Sequence, residues 1–345
     1  MNLQSIVRPS VWQLSPYRSA RNEYTGAKAT AMLDANENPY EWPYSRYPDP
    51  VQSALKQRLA ALRDVRPEQI LVGNGSDEVI DLLMRLTCQP ATDRILTLDP
   101  SYGMYRVSAA INDVPLDVVK LNTDLTVNTE AVLSAIDNHK LILLCSPNNP
   151  DGGIIPTATL EQILDKAKGL VVVDEAYIDF ANTDSWISRL ADYPQLVVLQ
   201  TFSKSWAAAG IRVGMAYANE EVIALLHKIK PPYNVSAPAQ EAALEVLADF
   251  DILQKQIEEI KIQRDLLATE LQQLAIVKKV YPSQANFLLV QFQDAAAIYE
   301  LLKSQGIVVR DRGTHTHCAE SLRISIGTPA QNQLLLNILK NSTQN

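Results

Sequence analysis

The sequence predicts an α/β protein: a mostly parallel, seven-stranded sheet flanked by helices, followed by a smaller α+β domain. Two observations predict it. Short, nearly continuous apolar runs recur at Ile70–Val72, Arg94–Leu98, Pro115–Val119, Leu141–Leu144, Leu170–Val173, Leu196–Leu199 and Val213–Ala218, with helical periodicity between most of them. Strands apolar on both faces and joined by helical crossovers belong to a parallel sheet covered on both sides. After Pro231-Pro232 the character changes to a long helical stretch and then to short strands and helices.

Bulk properties set the outer limits. The chain has 345 residues, 47% of them hydrophobic, enough for a large core and for two domains. A net charge of −8 argues against nucleic acid or an anionic membrane surface as partner. It says nothing against a small anionic substrate, which local arginines can capture. No apolar run approaches the roughly 18 residues of a membrane span, and the residues from Met1 to Pro9 lack the layout of a signal peptide. The three scattered cysteines, Cys88, Cys145 and Cys318, suit reduced thiols in a cytoplasm.

In chain order, residues 1–35 read as an irregular arm with a short strand near Ala31–Leu33, ordered by packing on the small domain or on a second subunit. Residues 36–237 form the large domain. Within it Val51–Leu62 is an amphipathic helix, and Ile70–Val72 a strand that turns through Gly73-Asn-Gly-Ser-Asp-Glu78 into the apolar helix Val79–Leu86. A glycine turn before a helix offers backbone N–H groups and the positive dipole end to an anion, although such turns are common. Thr129–Asn138 and Thr157–Lys168 are crossover helices. Residues 238–345 form the small domain. Pro238–Leu274 is one long helix or two with a bend, followed by strands at Val277–Val280, Ala285–Phe292, Ile307–Arg310 and Leu322–Ile326 and helices at Ala295–Gln305 and Pro329–Leu339.

Ligands of a parallel sheet sit beyond the carboxyl ends of its strands. Tyr102, Asn149, Asp174, Tyr177 and Lys204 all fall there. Lys204 leaves the end of a buried strand between Ser203 and Ser205, and desolvation of such an amine lowers its pKa and makes it a candidate Schiff-base lysine. Ser203 and Arg212 supply a hydroxyl and a planar fork suited to phosphate oxygens, with Gly210 and Gly214 leaving room for a ligand. The plain alternative is a surface Lys and Arg about a glycine turn. His315-Thr-His317-Cys318 lacks a partner cluster and lies in a loop, so no metal is expected. His139 and His227 read as surface residues of helices.

The run Ser203-Lys-x6-Gly-x-Arg212-x-Gly214 resembles the cofactor-lysine motif of fold-type I pyridoxal-phosphate-dependent transferases, the aspartate aminotransferase superfamily. Further matches extend the resemblance over nearly the whole chain, and the branch it resembles most is the histidinol-phosphate aminotransferases. They are Val7-Arg-Pro, Ser15-Pro-Tyr17, Asp34-Ala-Asn-Glu-Asn-Pro39, Arg46-Tyr-Pro-Asp-Pro50, Ser146-Pro-Asn-Asn-Pro-Asp-Gly152, Val171-Val-Val-Asp-Glu-Ala-Tyr177 and Ser321-Leu-Arg-Ile-Ser-Ile-Gly327.

The resemblance implies a role for each. Lys204 carries pyridoxal 5′-phosphate and moves the Cα proton. Asp174 keeps the ring nitrogen protonated, Tyr177 and Asn149 donate to the ring oxygen, and Tyr102 stacks on the ring. Gly75, Ser76 and Asp77, Ser203, Arg212 and Tyr47 of a second subunit hold the phosphate. Arg323 takes the α-carboxylate of glutamate and the phosphate of histidinol phosphate, and Arg310 is a second phosphate arginine. Tyr17 and Asn36 are further pocket candidates. Asp151 stands where the family's turn has threonine. The implied reaction joins histidinol phosphate and 2-oxoglutarate in a homodimer with shared sites. Aromatic amino-acid transamination and threonine-phosphate decarboxylation in the cobalamin pathway share these residues. A regulator built on the same fold would need a helix-turn-helix module, for which the arm is too short.

Overall fold

The computed structural model describes residues 2–16 and 29–342. Its central sheet contains β1 (Ile70–Gly73), β2 (Ile95–Asp99), β3 (Leu116–Lys120), β4 (Leu141–Cys145), β5 (Leu170–Asp174), β6 (Leu196–Thr201) and β7 (Gly214–Ala218). The order is β1-β7-β6-β5-β4-β2-β3. Strand β7 runs antiparallel to its neighbours β1 and β6, and the remaining pairs are parallel.

Side chains of a strand alternate between faces. Val171 and Val173 of β5 therefore join the core on one face of the sheet, while Leu170 and Val172 join the core on the other. All four are fully buried, which is why β5 reads as an unbroken apolar run. Helices α1 (Leu3–Ile6), α2 (Pro9–Trp12), α3 (Ser53–Arg63), α4 (Ser76–Thr87), α5 (Met104–Ile111), α6 (Thr129–Ala135), α7 (Thr157–Lys166) and α8 (Glu220–Ile229) belong to this layered body.

The expected helical stretch after Pro231-Pro232 is two helices, α9 (Ala237–Ala248) and α10 (Phe250–Gln272). They part at Asp249, whose φ of −98° and ψ of 24° leave helical geometry. Beyond them β8 (Val277–Val280), β9 (Phe287–Phe292), β10 (Arg310–Asp311) and β11 (Ser321–Ser325) form an antiparallel sheet in the order β10-β11-β9-β8. Helices α10, α11 (Ala295–Ser304) and α12 (Pro329–Ser342) share a separate apolar core with it. The mostly parallel seven-stranded sheet with flanking helices and a smaller antiparallel α+β unit agrees with the expected fold class.

Three local expectations are corrected. Residues 31–33 form no strand: they find no pairing partner among the described residues, and Leu33 is 88% exposed. His139 is buried rather than on a helix surface, with Nε2 2.9 Å from Asp117 Oδ2. His227 is half-buried in α8, and desolvation, with Lys56 and Lys230 nearby, holds its pKa down at about 3. The first part of the arm packs on the large sheet's helical cover. Leu3, Ile6, Val7 and Val11 enter that core, and the Arg8 backbone N–H donates to the Leu86 carbonyl at 2.9 Å. Among the described residues no helix is long and apolar enough to cross a membrane.

Candidate active site

The carboxyl ends of β2, β4, β5 and β6 open on one side of the sheet, and the residues that follow them close a cavity of about 130 Å³. Asp174 and Tyr177 come from β5 and the turn after it, Lys204 and Ser203 from beyond β6, and Tyr102 from the turn after β2. Ser76 and Asp77 at the start of α4, and Arg212 just before β7, complete the wall. The sequence places these residues within reach because parallel strands deliver all their exits to one edge.

The floor is the Asp174 carboxylate, 2% exposed. It accepts the Tyr105 hydroxyl at 2.7 Å and the Ala176 backbone N–H at 3.2 Å. Burial pushes its pKa up to about 6 despite those two donors. Among the described residues no cation forms a salt bridge with it. A buried carboxylate without a counterion suits a cationic ligand group. Above it the Lys204 amine, open to solvent through the cavity mouth, lies 5.8 Å from the centre of the Tyr177 ring. Its pKa is lowered, first by desolvation by the surrounding walls, then by Arg323 and Arg212.

An anion cradle forms one side. Helix α4 starts at Ser76 with no side-chain cap, so its first-turn N–H groups have no partner within the helix. Gly75 enters it at φ +79°, a left-handed conformation that favours glycine. Gly214 pairs with Gly73 across β1 and β7, and a Cβ on it would fall 2.2 Å from the Ser76 nitrogen. That contact leaves only glycine there. The Arg212 guanidinium lies against the same turn, with Nη2 3.7 Å from Asp77 Oδ2. Asp77 also accepts the Tyr102 hydroxyl at 3.0 Å.

The opposite wall comes from the small sheet. Arg323 on β11 donates from Nη1 to Asn149 Oδ1 at 2.7 Å, which leaves the Asn149 amide N–H₂ as a donor for a ligand. Its guanidinium lies 5.2 Å from the Phe287 ring centre, and Tyr177 meets Phe287 edge-on at 5.1 Å. The Arg323 Nε is buried with no partner. Arg310 is exposed on β10, directly opposite Arg323 in register. Asp151, where threonine was expected, is buried and closes its turn by accepting Asn148 Nδ2 at 2.5 Å and the Gly153 N–H at 2.8 Å.

Not every expected residue meets here. Tyr47 and Asn36 line a separate hollow of about 420 Å³, where Tyr47 stacks on Tyr233 at 4.4 Å. Tyr17 lies outside the described residues. Two residues escaped the sequence reading. Tyr105, the hydroxyl on Asp174, lies three residues after Tyr102 at the start of α5, and that helical spacing was its available signal. Arg312, two residues after Arg310, shares a strand face with it by simple alternation.

The class I and II aminotransferase description matches residues 20–339, most of the chain. The chain belongs to the class I and II aminotransferase family. This aminotransferase is 49% identical to the histidinol-phosphate aminotransferase of Parabacteroides distasonis over 99% of both chains. Among solved structures, the histidinol-phosphate aminotransferase of Clostridium acetobutylicum superposes with a TM-score of 0.81 at 26% identity, covering 87% of this chain and 91% of that one. The Sinorhizobium meliloti enzyme, solved in complex with pyridoxal-5′-phosphate, superposes with a TM-score of 0.79 at 26% identity, over 87% of this chain and 84% of that one. The cofactor of this aminotransferase is pyridoxal phosphate. The cavity fits it: an unpaired buried carboxylate for a pyridinium, uncapped N–H groups and an arginine for a phosphate, and an amine of lowered pKa between them.

Asp174 allows a test with a definite sign. Its folded-state pKa lies above the ordinary carboxylate value, so the ionised form costs stability as pH rises through about 6, and that cost is absent near pH 4. Asp174→Asn should therefore leave the cofactor-free protein at least as stable as wild type at pH 8, with the difference vanishing by acid pH in denaturant titrations. The same variant should lose bound cofactor on dialysis. A cofactor-free variant markedly less stable than wild type at pH 8 would contradict this account of the site.

Proposed function

We propose that this aminotransferase transfers the amino group of L-histidinol phosphate to 2-oxoglutarate, giving imidazole acetol phosphate and L-glutamate in L-histidine biosynthesis. The observation that carries the reading is the pair Arg323 and Arg310, opposite each other on adjacent strands beside the Lys204 cavity. No carboxylate among the described residues forms a salt bridge with either. Two unpaired guanidiniums at a substrate mouth call for anionic substrates. The names of the full-length relatives supply which ones.

Each residue's part follows from its surroundings. Asp174 holds a proton on the ring nitrogen of the cofactor, because a carboxylate deprived of water is best satisfied by a bound cation. Asn149, whose amide N–H₂ is left free to donate, and Tyr177 would hold the ring oxygen, and Tyr102 would lie beside the ring. The Ser76 and Asp77 N–H groups at the Gly75 turn, Ser203 and Arg212 hold the phosphate. When bound, pyridoxal phosphate supplies an electron-withdrawing ring that drains charge from the carbon bearing the amino group. Lys204 Nζ would take the proton from that carbon and deliver it to the cofactor carbon on the other side of the same nitrogen, and its lowered pKa provides neutral amine for the task. Arg323 orients either substrate by its anion.

We also infer a homodimer in the cytoplasm. The segment from Leu33 to Tyr44 exposes Leu33 at 88%, Tyr40 at 79%, Trp42 at 79% and Tyr44 at 62%, a run of large apolar side chains suited to a second copy. Tyr47 lies in that run, away from this chain's own Lys204 cavity, as expected of a residue that serves the partner's phosphate. The Lys230 amine pins the segment. It donates to the carbonyls of Pro50 at 3.1 Å and Pro231 at 2.9 Å and to Asn234 Oδ1 at 2.8 Å, beside Tyr233.

Two measurements decide these readings. Purified holoenzyme given 2-oxoglutarate and a panel of amines should prefer histidinol phosphate to phenylalanine or tyrosine by about 100-fold in kcat/KM. Preference for either aromatic, or release of carbon dioxide from O-phosphothreonine, would overturn the substrate assignment. Tyr47→Phe should weaken cofactor retention without shifting the unfolding midpoint, and sedimentation should report a dimer. A fully active monomer would count against the shared site.

A further inference from the structure

We propose that Arg312 joins Arg310 and Arg323 in a three-guanidinium subsite for the substrate's phosphate, and that His315 positions Arg312 within it. The inference deepens the proposed reading of the site and rests on it.

The three arginines share one sheet face. Arg310 pairs with Arg323, and the ladder continues because the Arg312 N–H donates to the Ser321 carbonyl at 2.9 Å. Arg312 lies one residue past β10, and with that bond continuing the ladder, alternation puts positions 310 and 312 on the same side as 321 and 323. Facing cross-strand positions lie only about 5 Å apart at Cβ, where like charges repel. Desolvation first, then Arg323 and Arg310, hold the Arg312 pKa down, and Arg312 lies close enough to Tyr177 to interact with it electrically. No carboxylate among the described residues bridges any of the three.

Neither Arg312 nor Arg323 is satisfied. The Nε of each is buried without a partner. Arg312 has one side-chain contact, Nη1 at 3.4 Å from His315 Nε2. Desolvation first, and Arg312 next, hold the His315 pKa low, so the ring is neutral and its nitrogen can accept. The loop carrying His315 is anchored. The His315 N–H donates to the Arg312 carbonyl at 2.9 Å, the Cys318 N–H donates to the His315 carbonyl at 3.0 Å, and the Thr316 hydroxyl bonds Asp99 at the end of β2. The loop therefore holds the guanidinium while leaving its Nε without a partner.

A carboxylate carries one charge and is matched by one fork. Three guanidiniums without acids fit a phosphate monoester, which puts two charges on one group, whereas the two charges of glutamate sit on separate carboxylates. Arg323 is shared by both substrates through Asn149 and the ring site. Arg310 and Arg312 are the part that only the phosphate reaches.

The test uses holoenzyme and reads the two half-reactions separately. Arg312→Gln should raise the half-saturation concentration for histidinol phosphate about tenfold, with the glutamate half-reaction changed less than about twofold. The preference for histidinol phosphate over unphosphorylated histidinol should fall by the same factor, and inorganic phosphate should compete more weakly. His315→Ala should shift the same quantity by a smaller factor, rescued by His315→Gln, which keeps an acceptor. Arg312→Lys, which retains the charge, guards against a folding failure and should fall between wild type and Arg312→Gln. Equal damage to both half-reactions, or unchanged discrimination between phosphorylated and plain histidinol, would overturn the proposal. Should the wild type refuse histidinol phosphate, the substrate reading fails. Competition by inorganic phosphate against whichever amine is accepted then still decides Arg312, which is wrong if Gln leaves that competition unchanged.

Discussion

The Asp174 carboxylate at the end of β5 is buried, accepts two hydrogen bonds and, among the described residues, forms no salt bridge. An uncompensated buried charge is one of the more costly features a fold can carry. It persists because the surrounding sheet over-determines it. Val171 and Val173 are locked in one core, Leu170 and Val172 in the other, so the strand end cannot retreat. The next residue reinforces it from behind. Glu175 is buried too, accepting the Ser185 hydroxyl at 2.5 Å, the Trp186 N–H at 2.7 Å and the Gln200 amide at 2.9 Å. Burial without a paired cation pushes its pKa up to about 7. In the proposed reading, stability surrendered at this edge is offset when a cationic ring binds.

The same logic holds on the facing wall. Arg323 is half-buried with an unpartnered Nε, and Arg310 sits across the ladder from it. The Asp174 floor is negative and the Arg310–Arg323 wall positive, and among the described residues neither forms a salt bridge. Lys204 stands between them, its amine pulled towards the neutral form by desolvation and by the arginines, while Asp174 and Asp77 pull the other way. Specificity for anions and reactivity of the amine therefore come from one charge distribution.

Much of this was legible in the sequence because parallel strands are buried on both faces and read as apolar runs, and because their exits share one edge. Tyr102, Asn149, Asp174, Tyr177 and Lys204 are located that way, while Ser203, Arg212 and the Gly75 turn stand out through their hydroxyl, guanidinium and glycines. What escaped depends on contacts between distant segments. That Tyr105 reaches Asp174 follows from how α5 packs on the sheet, which no local pattern encodes. The burial of His139 comes from Asp117 on a neighbouring strand. Arg312 was overlooked because β10 is only two residues long and its strand alternation has no length in which to show. The expected strand at Ala31–Leu33 failed for the opposite reason: a β-compatible sequence found no strand to pair with.

The central claim is that one amine, Lys204, faces the Asp174 carboxylate across the cofactor. Borohydride reduction of the holoenzyme followed by peptide mapping tests it most directly. The cofactor's mass should be fixed on a single peptide and on Lys204 within it. A label on any other lysine, or none that survives denaturation, would contradict the account.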